Sequence, residues 1–322
     1  MSESSVRSPR LFLVRHGQTT SNTIHALDTA LPGADLTPLG REQATEAGGR
    51  LAGVSDRVMV LSSFAARAQQ TAVNVAAALE RGGADLVPAD VPSASPLSDA
   101  TAQQLADIAF VGAGSAGSAT SDSASDSAAP VSAAQLSREL QAKLAIVPGV
   151  AEIAAGDMEM RNDEDAHEMY HSVLGGWLHG NIDERVPGGK TGTEILQDYL
   201  PRVLELLDAG RRNSCDVALV SHGAVIRLVA AFLGGVDPDW AYGAYLRNAQ
   251  VITVEPGASS SASPSAAASL TGSSSSDADA PAASGSAASD SAASNSAQQA
   301  DDLLTKLRNT MSITSWGDHP LP

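Results

Sequence analysis

The 322-residue chain carries 20 Lys and Arg against 37 Asp and Glu, a formal net charge of −17. That balance argues against a nucleic-acid binder, whose footprint is a basic patch, and against adhesion to an anionic membrane. One cysteine, Cys215, excludes an internal disulfide framework, and its place in the apolar run 215–220 predicts a packed thiol.

Along the chain, the apolar run 10–14 reads as a buried strand that stops at Arg15-His16-Gly17. Thr37-Pro38 looks like an N-cap with proline at the first helical position, and the helix runs to Leu51, with Gly53 ending it. Residues 58–61 read as a second strand, after which Ser62 and Ser63 are expected to cap an Ala-rich helix through about Leu79. A short strand at 86–88 and helices at 133–144, 162–179 and 192–208 follow. Residues 216–220 read as a central strand, Gly223 onward as an apolar helix, and 245–254 as the last strand. A further amphipathic helix is expected at 301–313, docked on this domain or on a second copy in a homodimer, with a frayed tail as the alternative.

Residues 112–129 and 257–298 are almost wholly small and polar and hold no Lys or Arg. Such composition cannot bury enough surface to offset chain entropy. The expected organisation is therefore a flexible leader (1–9) and one domain (10–256) broken by a disordered insert at about 112–132. A disordered Ser/Ala-rich linker (257–300) and a tail with a short helix (301–322) complete it. The four consecutive apolar residues at 11–14 are too few for a signal-peptide core, and the apolar stretch 217–234 contains His222 and Arg227. A cytoplasmic location without membrane contact is expected.

Apolar strands alternating with helices imply an α/β domain with a mostly parallel sheet. Two of its strands end directly in a histidine followed by glycine, His16 and His222. Ligands bind at the carboxyl ends of strands in open α/β sheets, so one pocket is expected to hold both. Arg15 beside His16 supplies a permanent cation and a nucleophile, Gly17 permits close approach to the backbone, and Thr19 and Asn22 add neutral donors. This mixture suits a tetrahedral dianion better than a metal.

The segment LVRHGQTTSN (13–22) resembles the signature of the histidine phosphatase superfamily, in its phosphoglycerate mutase-like branch. Four further segments match in family order: 32–44 after the signature, 62–72 with Arg67, 150–160 with Glu152, and 219–227 with His222. The resemblance implies a three-layer α/β/α sandwich with a mostly parallel central sheet. It implies His16 as nucleophile, Arg15, Arg67 and His222 around the phosphoryl oxygens, Asn22 and Thr19 as further phosphate ligands, and Glu152 as proton donor. Glu159 competes for the last role, because the acidic segment lacks the family's aromatic and final glycine. The implied partner is a small phosphorylated metabolite, with no metal, organic cofactor or nucleic acid.

Phosphomonoester hydrolysis is the leading expectation, since the longer substrate-enclosing segments of cofactor-dependent mutases have no match here. A mutase and a non-catalytic phosphate-binding protein are the alternatives. His167-Glu168-Met169-Tyr170-His171 also satisfies the zincin pattern, with Glu194 as a distant third ligand. Against zinc, Leu174 and Trp177 occupy the glycine and third-histidine positions of the longer pattern. His25 is expected at the surface near substrate, His179 at the surface, and Arg227 in a structural role.

Overall fold

The computed structural model describes residues 8–97, 133–257, 302 and 305–322. The insert expected at about 112–132 and the linker expected at 257–300, Gly257 excepted, lie outside the described residues, as do residues 1–7 of the leader.

Among the described residues eight strands form one sheet: β1 (Leu11–Arg15), β2 (Arg57–Ser62), β3 (Asp85–Val87), β4 (Ser95–Pro96), β5 (Ala145–Ile146), β6 (Asp216–Ser221), β7 (Val251–Pro256) and β8 (Met311–Trp316). Their order is β4-β5-β2-β6-β1-β7-β8, with β3 also paired to β2. The centre is parallel (β5, β2, β6, β1), and β4, β7 and β8 are antiparallel additions. The helices are α1 (Thr20–Thr23), α2 (Pro38–Ala52), α3 (Ala66–Arg81), α4 (Ala133–Lys143), α5 (Glu164–Leu178), α6 (Gly192–Asn213), α7 (Gly223–Gly234) and α8 (Pro238–Gly243).

Strand residues point alternately to the two faces. Leu11, Leu13, Met59, Leu61, Val217 and Leu219 meet Val173, Leu196, Leu200, Val225 and Val229 of α5, α6 and α7. Phe12, Val14, Val58, Val60, Ala218 and Val220 meet Leu51, Ala72, Leu79 and Leu140 of α2, α3 and α4. The central strands are apolar on both faces because helices cover both, which makes the domain a three-layer sandwich. Among the described residues no helix is long and apolar enough to cross a membrane. Cys215 is buried, and burial pushes its thiol up to about 11, so it packs as the run 215–220 predicted.

The turn after β1 is fixed by space. A Cβ on Gly17 would collide with the Gly40 carbonyl, and one on Gly40 with the Gln18 carbonyl. Thr37 caps α2 by accepting from Gly40 N (3.0 Å) and donates to Gln18 Oε1 (2.9 Å). The loop that carries the site thus lies against the first turn of α2. Gly17→Ala forces these backbones apart. The expected loss is about 1–3 kcal/mol, read as a lower urea midpoint at unchanged slope.

Three local expectations are corrected. Ser62 closes β2, and α3 starts at Ala66 with no side-chain cap, because Ser63 is turned toward His222 and Ala66 N donates to Pro32 O (2.9 Å). The strand expected at 245–254 begins only at Val251, and it is not the last. The helix expected at 301–313 is overturned beyond Leu307: Met311–Trp316 is a strand paired with β7. A β-branched, alternating segment beside an open sheet edge gains more from the ladder than from a lone helical turn.

Candidate active site

Parallel register builds the site. Arg15 pairs with Ser221, so the residues that follow them, His16 and His222, leave neighbouring strands side by side. Their rings are 5.4 Å apart, edge to face. Both are almost wholly buried.

The hydrogen bonds fix both tautomers. His16 Nδ1 meets the carbonyl of Gly17 at 2.8 Å. A carbonyl only accepts, so Nδ1 carries the proton and Nε2 keeps the lone pair. His222 Nδ1 accepts from Arg67 Nε (3.3 Å), and its Nε2 donates to Ser63 Oγ (2.9 Å). Burial holds both imidazoles well below the ordinary histidine value, reinforced by the Arg67 and Arg15 guanidiniums.

Two arginines flank this pair. Arg15 is 8% exposed and donates from Nη1 to Tyr245 Oη (2.8 Å) and the Leu246 carbonyl (2.5 Å). Arg67, on α3, is 2% exposed, and its Nη1 lies 4.0 Å from Asp28 Oδ1. Arg15 Nε and Arg67 Nη1 are buried without a hydrogen-bond partner. Each such donor costs about 1–3 kcal/mol if left unmet. Gly223 and Gly33 leave room for these side chains, since a Cβ on either would run into the Arg15 and Arg67 guanidiniums respectively.

Glu152 lies at the start of α7. Its Oε1 accepts from Val225 N (2.9 Å) and Ile153 N (3.0 Å), and Oε2 from Ala224 N (3.2 Å). The first N–H groups of a helix have no internal partner, and the Glu152 carboxyl oxygens take two of them. Glu159 does different work. It accepts from Thr29 N (2.8 Å), Ala30 N (2.9 Å) and the Thr29 hydroxyl, and so ties down the 28–30 loop. Asn22 Oδ1 is taken by Thr19 N and Asn248 Nδ2, both at 3.1 Å, which leaves the amide donor for the cavity. Thr19 caps α1: its hydroxyl oxygen accepts from Asn22 N (3.1 Å).

Arg15, His16, Thr19, Asn22, Arg67 and Glu152 line one open cavity of about 290 Å³. His222 stands behind His16, joined to Arg67. Six of the residues that the resemblance named thus share one cavity; His222, expected around the phosphoryl oxygens, does not line it, because its ring nitrogens are spent on Arg67 Nε and Ser63 Oγ. Glu159, the competitor, does not line the cavity.

The cavity walls include residues that sequence reasoning missed or placed elsewhere. Tyr170, His171, Tyr245 and Asn248 line it, as does His25 at the mouth. Burial drives the Tyr170 hydroxyl well above its ordinary value, so it stays a neutral donor, here to the Ile153 carbonyl (2.8 Å). Arg227 also lines the cavity, while its Nη2 donates to the carbonyls of Ala241 (2.9 Å) and Tyr242, docking the end of α8.

Both zincin histidines, His167 and His171, lie on the cavity wall. His167 Nε2 donates to the His25 carbonyl at 2.7 Å. Glu194 closes the capping box of α6 and pairs with Arg185 at 2.7 Å. Among the described residues no group of three His, Cys, Asp or Glu side chains could hold a metal ion.

A family model described as histidine phosphatase superfamily (branch 1) matches residues 11–88 and 94–263. Among curated proteins, the PE-PGRS family protein PE_PGRS11 of Mycobacterium tuberculosis is 43% identical over 63 residues, 20% of this chain; the match spans only 11% of that protein's length. Among solved structures, mycobacterial hydrolase 1 superposes with a TM-score of 0.51 at 18% identity, covering 80% of this chain and 94% of its own. That likeness shows a shared fold. A putative alpha-ribazole-5'-P phosphatase from Escherichia coli gives a TM-score of 0.46 at 21% identity, covering 78% of this chain and 92% of its own.

Proposed function

The chain belongs to the histidine phosphatase superfamily, branch 1, and from that premise we propose that it is a phosphomonoesterase that hydrolyses a small phosphorylated metabolite through a phosphohistidine on His16. The observation that carries this reading is the convergence of two guanidiniums, Arg15 and Arg67, on one cavity with a histidine whose Nδ1 is committed. A phosphoryl dianion suits both features: the guanidiniums meet its charge, and it presents phosphorus to the free lone pair.

In the first step Nε2 of His16 attacks phosphorus, and the P–O ester bond breaks. Glu152 gives its proton to the departing oxygen. Charge on the phosphoryl oxygens is met by Arg15, Arg67 and the Asn22 amide, with His222 holding Arg67 in place. In the second step Glu152 takes a proton from water, the water oxygen attacks phosphorus, and the P–N bond breaks. Inorganic phosphate leaves and His16 is restored. Thr19 serves mainly by shaping the Asn22 turn. The residues named carry every proton and charge in this sequence. A cytoplasmic location belongs to the same proposal.

The test is phosphate release from a panel of small phosphomonoesters in the presence of a chelator. Release that survives chelation and is lost in His16→Ala is expected. Interconversion of 2- and 3-phosphoglycerate without net hydrolysis would assign a mutase instead.

The lowered histidines set the pH dependence. A free imidazole would lose its lone pair to protonation near pH 6.5. His16 is held below that value, so its nucleophilic form persists as the solution turns mildly acidic. The acid limb of kcat/KM, corrected for ionisation of the ester, is expected below pH 6.5. Stability follows the same sign. With folded-state values depressed, the contribution of His16 and His222 is present above about pH 6.5 and is lost as pH falls.

A further inference from the structure

The anchor of Arg15 is itself anchored from far along the chain. Residues 244–250 run from α8 to β7, and five of them bond to the site. Ala249 N donates to the carbonyls of Arg15 (3.1 Å) and His16 (3.2 Å). Tyr245 Oη and the Leu246 carbonyl accept from Arg15 Nη1. Asn248 Nδ2 bridges the His16 carbonyl and Asn22 Oδ1, both at 3.1 Å. The Gln250 carbonyl accepts from Arg15 N at 3.0 Å.

The outer side of this loop is held by the C-terminal segment. Trp316 Nε1 donates to the Ala244 carbonyl (2.9 Å), and its ring is fully buried against Trp240. His319 meets the Tyr245 carbonyl at 3.0 Å. That carbonyl only accepts, so Nε2 of His319 carries the proton. Asp318 accepts from Gln250 Nε2 (2.5 Å), and Gln250 Oε1 in turn accepts from Arg247 N (2.7 Å). Gly317 N adds a bond to the Val251 carbonyl (2.8 Å).

We propose that Trp316, Asp318 and His319 are positioning residues for the phosphate-binding arginine: they brace loop 244–250, and the loop aims Arg15 and Asn22 at the phosphoryl group. The proposal rests on the functional reading above. Its physical basis is the geometry of Arg15. With Nη1 tied to Tyr245 and Leu246, the direction of Nε and of the remaining guanidinium nitrogen is set by where the loop sits. A shift of about 1 Å in a group that meets the transition state is enough to cost much of the rate.

The chain order makes this brace separable. Pro256 pairs with Met311, so β8 begins where β7 ends, a junction that a turn of about two to five residues would close. Residues 257–310 lie between them instead. The brace therefore reaches the loop as its own piece of chain, and its contacts are with the loop, β7, the end of α7 and Trp240 of α8 rather than with the catalytic side chains.

The experiment compares wild type, His319→Ala, His319→Gln and Asp318→Asn. The readouts are hydrolysis of one good substrate, competitive inhibition by inorganic phosphate, and melting temperature. His319→Ala is expected to lower kcat/KM about fivefold and to weaken phosphate inhibition by a similar factor, as the loss of one hydrogen bond allows. His319→Gln keeps a donor for the Tyr245 carbonyl and is expected to recover most of both. An active wild type whose His319→Ala and Asp318→Asn variants match it within about twofold would overturn the brace and leave the functional reading standing. A wild type that hydrolyses none of the panel would overturn the functional reading, and this proposal with it.

Discussion

His16→Ala is expected to lower phosphate release by about 10⁴-fold or more, the scale seen when a covalent nucleophile is removed. Phosphate binding is expected to survive. Arg15 is anchored by Tyr245 and Leu246, and Arg67 by α3 and His222, none of which depends on the His16 ring. The variant should also fold. Its alanine sits at a strand end whose backbone bond, His16 N to the Ser221 carbonyl at 3.0 Å, is independent of side chain. Inorganic phosphate should still protect the variant against thermal unfolding. A variant that kept more than about a tenth of wild-type turnover would remove His16 from the mechanism.

Glu152→Gln is expected to cost about 10²–10⁴-fold on alkyl phosphates, the usual contribution of a positioned general acid. The glutamine amide can accept from Val225 N but has no proton to give the leaving oxygen, and it cannot take one from water. An aryl phosphate with an acidic phenol needs no proton at departure. There the first step should survive and the loss should move to the second, so that phosphoenzyme accumulates in a burst. Glu159→Gln is the matched control. Its carboxylate is spent on Thr29 and Ala30 and does not line the cavity, so its loss should not change the dependence of rate on leaving group. If Glu159→Gln and not Glu152→Gln flattened that dependence, the two carboxylates would have to exchange roles.

Much of the site was legible in the sequence because its determinants are local. A four-residue apolar run followed by Arg-His-Gly marks a strand end with a cation, a nucleophile and a tight turn, wherever it occurs. Gly17 was readable as a close-approach residue, and the packing of Gly40 onto Gln18 is the reason it must stay one. What brings His16 next to His222 is not local. It is the pairing of Arg15 with Ser221 across 206 positions of chain, and no spacing rule states it. Tyr245 and Asn248 were missed for the same reason. They lie in a segment that alternates well enough to pass for a strand, and only the onset of β7 at Val251 frees them to turn back on Arg15 and His16.

The C-terminal segment misled for a physical reason as well. Residues 301–313 have helical spacing on their own, but Ile313 pairs with Val254 of β7 and Ser315 with Thr253, and Trp316 has a fully buried place beside Trp240. Tertiary burial outweighs local propensity in such a short stretch. The zincin pattern is the converse case. His167 and His171 carry the chemically suggestive spacing; His167 is bonded to the His25 carbonyl, and Glu194, the distant third ligand, is occupied in the cap of α6 and with Arg185.

The most direct test of the central claim is to trap the intermediate. The protein is mixed with a hydrolysable phosphomonoester, quenched in base within a turnover, digested and mapped by mass spectrometry. A single phosphoryl group on His16, stable to base and lost in acid, is the predicted result. Steady release of phosphate with no phosphoryl group on His16 at any quench time, or with one on a different side chain, would contradict it.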